Sequence, residues 1–113
     1  MKTAVAYYRI STREQSNYSI PGQRQSVEEY TKRLGIKLLA EYEDDGFSAS
    51  SMNRPAWQKM MKGLRRHKPD YVLSTRYNRM ARMAAEGLTA VENAEKRHGC
   101  LFIAIEEVSY VDT

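Results

Sequence analysis

The stretch TAVAYYRI (Thr3–Ile10), followed by Ser11, is the segment from which the fold of this chain is predicted. Its residues are apolar or aromatic up to Arg9, which is typical of a buried strand that leaves the core at its carboxyl end. Tyr7 and Tyr8 face opposite sides of such a strand, so at least one of them is expected in the core. A strand that continued to Ser11 would place Arg9 and Ser11 on the same face. The segment therefore predicts an arginine and a serine side by side where a buried strand turns polar.

Three further segments are short and rich in apolar, β-branched or aromatic residues, and they predict three more strands. These segments are KLLAEYE, YVLST and CLFIAI, at residues 37–43, 71–75 and 100–105. Helical patterns separate the four strands along the chain. Alternating strand and helix predicts an α/β domain with a mainly parallel central sheet of about four to five strands flanked by helices.

The helical patterns carry recognisable start and stop residues. They occupy residues 21–35, 53–67 and 78–99. Gly35 suits the position just after a helix, and Pro55 suits a first turn. The third pattern predicts one long helix that Asn78 caps and Gly99 ends.

The chain has 113 residues and a formal net charge of +4, which bounds its class. This length suits one domain with a modest core, and no apolar run is long enough to span a bilayer. No small-residue cleavage site follows the first residues, so a signal peptide is not predicted. The basic balance weakly favours polyanionic partners. The single cysteine, Cys100, excludes an internal disulfide framework, fits a reducing cytoplasm and is interpreted as a buried core thiol.

Several catalytic chemistries lack the residues that they need. His67 and His98 are the two histidines, and each lies near the end of a predicted helix, where a cation is favourable, so neither a histidine triad nor a zinc site is predicted. Asp44 and Asp45 are adjacent carboxylates without ligand spacing around them, so no metal is predicted. Neither a P-loop nor a GxGxxG motif occurs, and no cofactor is predicted.

Arginines follow the predicted strands where the active site of an open α/β sheet usually lies, beyond the carboxyl ends of the strands. One edge would collect Arg9 and Ser11 from the first strand, Arg54 after the second, and Arg79 and Arg82 after the third. Guanidinium groups match phosphate oxygens and stabilise the charge of a phosphoryl transition state. A serine in that field can act as a covalent nucleophile. The residues alone leave a second interpretation open, in which these are surface arginines and a turn serine.

Five segments, in order and with similar gaps, resemble the catalytic domain of serine site-specific recombinases. They are YYRISTREQ, SIPGQR, DDGFSASSMNRP, RYNRMAR and the terminal VDT, and together they run along nearly the whole chain. The second and third look more like the large serine integrases and transposases than the small resolvases. The resemblance implies the resolvase-like α/β fold over residues 1–113, truncated before the long dimerisation helix and the C-terminal DNA-binding region. Such a fragment is expected to fold but not to recombine DNA.

The resemblance also implies a reaction and a set of residues. The serine attacks a DNA phosphodiester, forms a 5′-phosphoserine link and releases a 3′-hydroxyl, without cofactor or metal. The matching catalytic positions are Ser11, Arg9, Arg54, Arg79 and Arg82, and the supporting ones are Gln15, Gln23, Asp45 and Asn78. The implied partners are double-stranded DNA recombination sites and further copies of the full-length protein, as a homodimer and a synaptic homotetramer, with no membrane. The implied setting is the cytoplasm of a bacterium, in a phage or another mobile element.

One position departs from the family pattern. Asn78 stands where the family often has an aspartate before the first arginine of its DRxxR motif. An asparagine can orient Arg79 but cannot carry a proton, so the group that deprotonates Ser11 stays open. Two other classes of function stay open as well: a non-catalytic module for DNA regulation or protein association, and a small phosphatase or nucleotide-binding protein.

Overall fold

The computed structural model describes residues 1–11, 19–46, 53–80 and 85–107, with residues 85–88 described by their backbone alone. The strands are β1 (Thr3–Ile10), β2 (Lys37–Asp45), β3 (Tyr71–Ser74) and β4 (Leu101–Ala104). Within the described residues they form one sheet in the order β2-β1-β3-β4, with every pair parallel. The predicted α/β class is confirmed, and the sheet has four of the four to five strands expected.

Helices cover both faces of the sheet, as parallel sheets require. They are α1 (Ile20–Leu34), α2 (Pro55–His67), α3 (Tyr77–Met80) and α4 (Ala85–His98). Alternate residues of β1 belong to two core clusters. On one face, Ala4, Ala6 and Tyr8 of β1 pack with Ile20 and Val27 of α1. On the other face, Val5 and Tyr7 of β1 belong to a cluster with residues of α2 and α4, which are Trp57, Leu64, Val91 and Ala94. The central strand therefore supplies side chains to both layers of the core.

The helix ends agree with the sequence signals, except at α3. Gly35 follows α1 with a φ of 68°, and Gly99 follows α4 with a φ of 66°, a left-handed backbone that glycine adopts without steric cost. Asn78 was predicted to cap a helix, but it is the second residue of α3, so that prediction is wrong. The physical reason is a long-range contact, because the backbone N–H of Tyr77 donates to the carboxylate of Glu107 at 2.6 Å. Of the long predicted helix, both ends are helical, and residues 81–84 lie outside the described residues.

Two adjacent tyrosines of β1 are fully buried, one on each face of the sheet. The Tyr7 hydroxyl donates to Asp44 Oδ2 at 2.7 Å, and the Tyr8 hydroxyl donates to Glu41 Oε2 at the same distance. Burial raises the pKa of both phenols well above the usual value, and each hydrogen bond to a carboxylate raises it further. Both tyrosines are therefore neutral core residues that hold carboxylates of β2.

The edge strand β2 exposes a row of carboxylates, and a cation on α1 bridges two of them. Arg24 donates from Nε to Glu41 at 3.2 Å and from Nη2 to Glu43. Elsewhere, Cys100 is buried as predicted, and burial raises the pKa of its thiol. No helix in the described part of the chain is both long and apolar enough to cross a bilayer.

We expect the free energy of unfolding to fall as the pH rises above about 10, the pKa of an exposed tyrosine. The unfolded chain ionises Tyr7 and Tyr8 there, whereas the folded chain keeps them protonated because their folded pKa is raised. Each tyrosine then removes at most about 1.4 kcal/mol per pH unit. Urea unfolding at a series of alkaline pH values measures this effect, and Tyr8→Phe should flatten the fall. If all eight tyrosines of the folded chain titrate together near pH 10 by ultraviolet absorbance, the expectation is wrong.

Candidate active site

Three arginines lie buried at the carboxyl edge of the sheet. Arg9 is the second-last residue of β1, Arg54 immediately precedes α2, and Arg79 is in α3. None of the three is more than 5 % exposed. Arginine is almost never fully buried unless its donors are satisfied, because desolvating the charge is costly. Their burial therefore removes the interpretation that they are surface arginines.

Arg9 and Arg79 bind each other's backbone reciprocally. Arg9 Nε donates to the carbonyl of Arg79 at 3.1 Å, and Arg9 Nη2 donates to the carbonyl of Asn78 at 2.8 Å. In return, Arg79 Nη1 donates to the carbonyl of Arg9 at 3.0 Å. Two side chains thus fix the short helix α3 against the end of β1, and each guanidinium is held in one orientation.

Gln23 holds the same end of β1 from the opposite face. Its Oε1 accepts the backbone N–H of Arg9 at 3.1 Å, and its Nε2 donates to the carbonyl of Arg9 at 2.9 Å. The side chain is 2 % exposed and comes from the first turn of α1. The amide of Gln23 therefore takes the place of a neighbouring strand for one residue of β1.

Arg54 lies over aromatic rings at the start of α2. Its guanidinium carbon is 4.5 Å from the ring centroid of Trp57 and 5.6 Å from that of Tyr7. Its Nη1 also makes two long hydrogen bonds of 3.4 Å, to the Tyr7 hydroxyl and to the carbonyl of Arg79. The aromatic faces attract the buried cation.

Asp44 places α2, the helix that Arg54 immediately precedes. Its Oδ1 accepts the backbone N–H of Ala56 at 2.9 Å, and its Oδ2 accepts the N–H of Trp57 at 3.0 Å together with the Tyr7 hydroxyl. The carboxylate satisfies two free donors of the first turn of α2 and lies at the positive end of that helix. The resemblance to serine recombinases implied Asp45 as a supporting residue of the site and gave Asp44 no such role. Alternation along EYEDD carried the signal, since it places residues 42 and 44 on the inward side.

The nucleophile candidate Ser11 is half-buried, one residue beyond β1. Because the strand ends at Ile10, strand alternation does not set the direction of the Ser11 side chain. The backbone N–H of Gly46 donates to the carbonyl of Ile10 at 2.8 Å, so the end of β2 holds the residue before Ser11. Asp45, the last residue of β2, is exposed beside this contact.

The remaining predicted site residues divide into two groups. Asn78 is exposed at the same edge and contributes its carbonyl to Arg9. Gln15 and Arg82 lie outside the described residues. Within the described ranges, no three His, Cys, Asp or Glu side chains are grouped so that they could hold a metal ion. The structure thus brings Arg9, Arg54, Arg79 and Gln23 together near Ser11 and adds Asp44 and Tyr7 beneath them.

A family model described as the resolvase N-terminal domain matches residues 4–113. The chain belongs to this family. The match confirms the resemblance to serine recombinases that the five sequence segments indicated. No curated protein sequence matches the chain.

Solved structures agree with the family assignment. The N-terminal catalytic domain of TP901-1 integrase is 27% identical with a TM-score of 0.84, over 94% of this chain and 78% of that chain. A resolvase family site-specific recombinase from Streptococcus pneumoniae is 27% identical with a TM-score of 0.78, over 95% and 74%. The C-terminal catalytic domain of ISC1926 TnpA, an IS607-like serine recombinase, shares the fold at 22% identity and a TM-score of 0.77, over 91% and 67%. The chain thus has the fold of these serine recombinase catalytic domains.

We expect Asp44→Asn to lower the free energy of unfolding by about 2–3 kcal/mol, because an amide cannot accept all three hydrogen bonds of the carboxylate. Asp45→Asn is the matched control, since it is exposed at the adjacent position, and it should change the value by about 0.5 kcal/mol or less. Urea unfolding measures both variants. The emission of Trp57, the single tryptophan, should shift only in Asp44→Asn, because Arg54 lies over its ring. Equal effects of the two variants would contradict the role of Asp44.

Proposed function

We propose that this domain cleaves and rejoins DNA phosphodiesters, with Ser11 as the covalent nucleophile and Arg9, Arg54 and Arg79 at the scissile phosphate. The observation that carries the proposal is the convergence of three buried guanidinium groups at the edge where Ser11 follows β1. A buried cluster of cations is costly to assemble, and a phosphodiester, whose negative charge is shared by two oxygens, is a ligand that such a cluster suits. The family, whose members recombine DNA, supports DNA as the source of that phosphate.

The proposed reaction is a transesterification. The Ser11 oxygen forms a bond to phosphorus while the bond from phosphorus to the 3′ oxygen breaks, and the serine proton is taken by a base as the 3′ oxygen gains one. The product is a 5′-phosphoserine link and a 3′-hydroxyl. In the reverse direction, a 3′-hydroxyl attacks the phosphoserine and regenerates the serine. One phosphoester replaces another in each step, so strand joining needs no separate source of energy.

The arginines would act by electrostatic preorganisation. Negative charge accumulates on the phosphoryl oxygens in the transition state, and fixed guanidinium groups stabilise it without a reorganisation step. The hydrogen bonds of Arg9 and Arg79 to backbone carbonyls hold each group in one plane. Gln23 would contribute indirectly, because it holds the backbone of Arg9 and not the phosphate.

Tyr7 is a poor candidate for the group that takes the proton from Ser11. Its raised pKa keeps it protonated at neutral pH, and its hydroxyl already donates to Asp44. Asn78 cannot accept a proton as a base. The family pattern also supports Arg82 as a catalytic residue, and Gln15 and Asp45 as supporting residues of the site.

The wider setting is part of the same proposal. The partners would be double-stranded DNA recombination sites, with a homodimer at each site and a homotetramer when two sites meet. The reaction would take place in the cytoplasm, in the service of a mobile element. A non-catalytic recombinase-fold module remains the alternative, and a covalent assay separates the two.

We expect the chain to form a covalent adduct through Ser11 with a duplex that carries a bridging 3′-phosphorothiolate. The 3′-thiol that leaves rejoins poorly, so the serine link accumulates. Mass spectrometry of the digested adduct identifies the attached residue, and Ser11→Ala should give no adduct. A link to a tyrosine, or an adduct in Ser11→Ala, would exclude the mechanism. Folded chain that is saturated with the duplex and still forms no adduct would favour the non-catalytic module.

We expect Arg79→Lys to lower the rate of adduct formation by about 10²–10³-fold, since a lysine cannot keep both the carbonyl contact and the phosphate contact. Arg24→Lys is the matched control, because Arg24 is a half-buried arginine away from the site, in ion pairs with Glu41 and Glu43. Adduct rates of both variants are compared with their unfolding midpoints. An Arg79→Lys rate that falls only in proportion to the unfolded fraction would reduce this arginine to a structural role.

A further inference from the structure

A basic groove lies at the edge of the sheet opposite the arginine site. Helices α2 and α4 both end there, since residues 68–70 lead into β3 and residues 99–100 lead into β4. The groove has two adjoining lobes of about 320 and 380 Å³, which share Arg65, Arg97 and His98. Its other lining residues are Met61, Lys62, Leu64 and Lys68. We call this feature the amino-edge groove.

The amino-edge groove concentrates positive charge. Among the side chains that the structure describes, its lining contains four exposed cations, one histidine and no acidic residue. Four positive charges equal the formal net charge of the whole chain, which is +4. The apolar lining residues are Met61 and the buried Leu64, and in the described part of the chain no Phe, Tyr or Trp lines the groove. The groove therefore offers charge without the aromatic anchors that protein partners commonly use.

Helix ends explain part of this charge but not its arrangement. Cations near a helix C-terminus stabilise its negative end, and the last turns of α2 and α4 are basic. Helix α1 also ends with Lys32 and Arg33, on the other face of the sheet. The dipole acts within the last turn, so it does not account for Lys62, which lies before it. Nor does it account for two basic helix ends that open on one groove.

We propose that the amino-edge groove binds the phosphate backbone of a second segment of duplex DNA. Lys62 and Arg65 of α2 line the groove together with Lys68 and Arg97, and a cluster of exposed cations without acidic neighbours in its lining suits a polyanion. The arginine site is at the other end of α2, whose 13 residues span about 20 Å. A duplex held at Ser11 therefore lies at the opposite edge of the sheet, and the groove would take a separate segment. The proposal rests on the proposed function only in naming DNA as the polyanion.

Binding in the groove should be salt-sensitive and independent of sequence, because phosphate contacts carry no base information. The test measures anisotropy of a labelled mixed-sequence duplex titrated with the 113-residue chain over a series of salt concentrations. The groove variant is Lys62→Gln, Arg65→Gln and Arg97→Gln together. The control variant is Lys32→Gln, Arg33→Gln and Lys37→Gln, which removes the same charge from exposed positions around the end of α1.

We expect the groove variant to bind at least about 10-fold more weakly at low salt, with a slope of log K against log salt that is shallower by about 2–3. The control should keep most of the affinity and slope. Equal losses in the two variants would show that only net charge matters, and the proposal would be wrong. Absence of salt-dependent binding by the unaltered chain, or stronger competition from a polyglutamate peptide than from DNA, would also overturn it. If the triple variant fails to fold, Lys62→Gln alone should reduce the slope by about 1.

The adduct assay keeps this test separate from the proposed function. The groove variant should still form the Ser11 adduct on a short duplex, because the groove is at the far edge from the nucleophile. Loss of groove binding with adduct formation intact supports the second-segment contact. An unaltered chain that binds through the groove but forms no adduct refutes the nucleophile and retains the groove.

Discussion

The site depends on how β1 completes its backbone hydrogen bonds after its neighbour β3 has ended. The pairing of β3 with β1 extends only as far as Leu73, which lies opposite Ala6. The residues of β1 after Ala6 therefore lack a neighbouring strand on that side. Side chains supply the missing hydrogen bonds. Ser74 Oγ donates to the carbonyl of Tyr7 at 2.7 Å. The backbone N–H of Arg9 donates to Gln23, and the backbone carbonyl of Arg9 accepts from Gln23 and Arg79. Buried backbone polar groups have to be paired, so these side chains are constrained by the fold before any substrate arrives. Because β3 is short, the last residues of β1 are left without a neighbouring strand, and Arg9 and Arg79 are held at this position by hydrogen bonds to backbone carbonyls.

Carboxylates distant in sequence set the positions of two helices at this edge. Asp44 of β2 accepts two N–H groups at the start of α2, and Glu107 accepts the first N–H of α3. An arginine of the site belongs to each of these segments, since Arg54 immediately precedes α2 and Arg79 lies in α3. The placement of the cations therefore depends on anions that need not touch substrate. A substitution at Asp44 is expected to disturb the site through the position of Arg54.

Sequence patterns predicted the strands and their common edge well, because local composition determines them. TAVAYYRI predicted β1 with the bounds that the structure has, and Gly35 and Gly99 end helices as expected. The wrong cap at Asn78 and the missing role of Asp44 have one cause. Both depend on contacts between segments that are far apart along the chain. Alternation along β2 indicates that Asp44 points inward, but it does not reveal which N–H groups the carboxylate accepts.

The resemblance identified Gln23, but only the structure shows that it binds the backbone of Arg9. The structural contacts of Arg9, Arg54 and Arg79 also complicate any simple substitution by alanine. Each such change removes a cation and opens a buried hydrogen-bond network, so loss of activity alone would not separate catalysis from folding. Conservative replacements and adduct rates are required for that separation.

The exposed carboxylates of β2 have a consequence for how copies of this domain meet. An edge strand with open backbone groups can recruit the edge of another copy and extend the sheet between molecules. Glu41, Glu43 and Asp45 would bring like charges together in such a pairing, and the cation at Arg24 is already occupied by two of them. Continuous sheets through β2 are thereby disfavoured, so the edge strand is protected from pairing between copies of the domain.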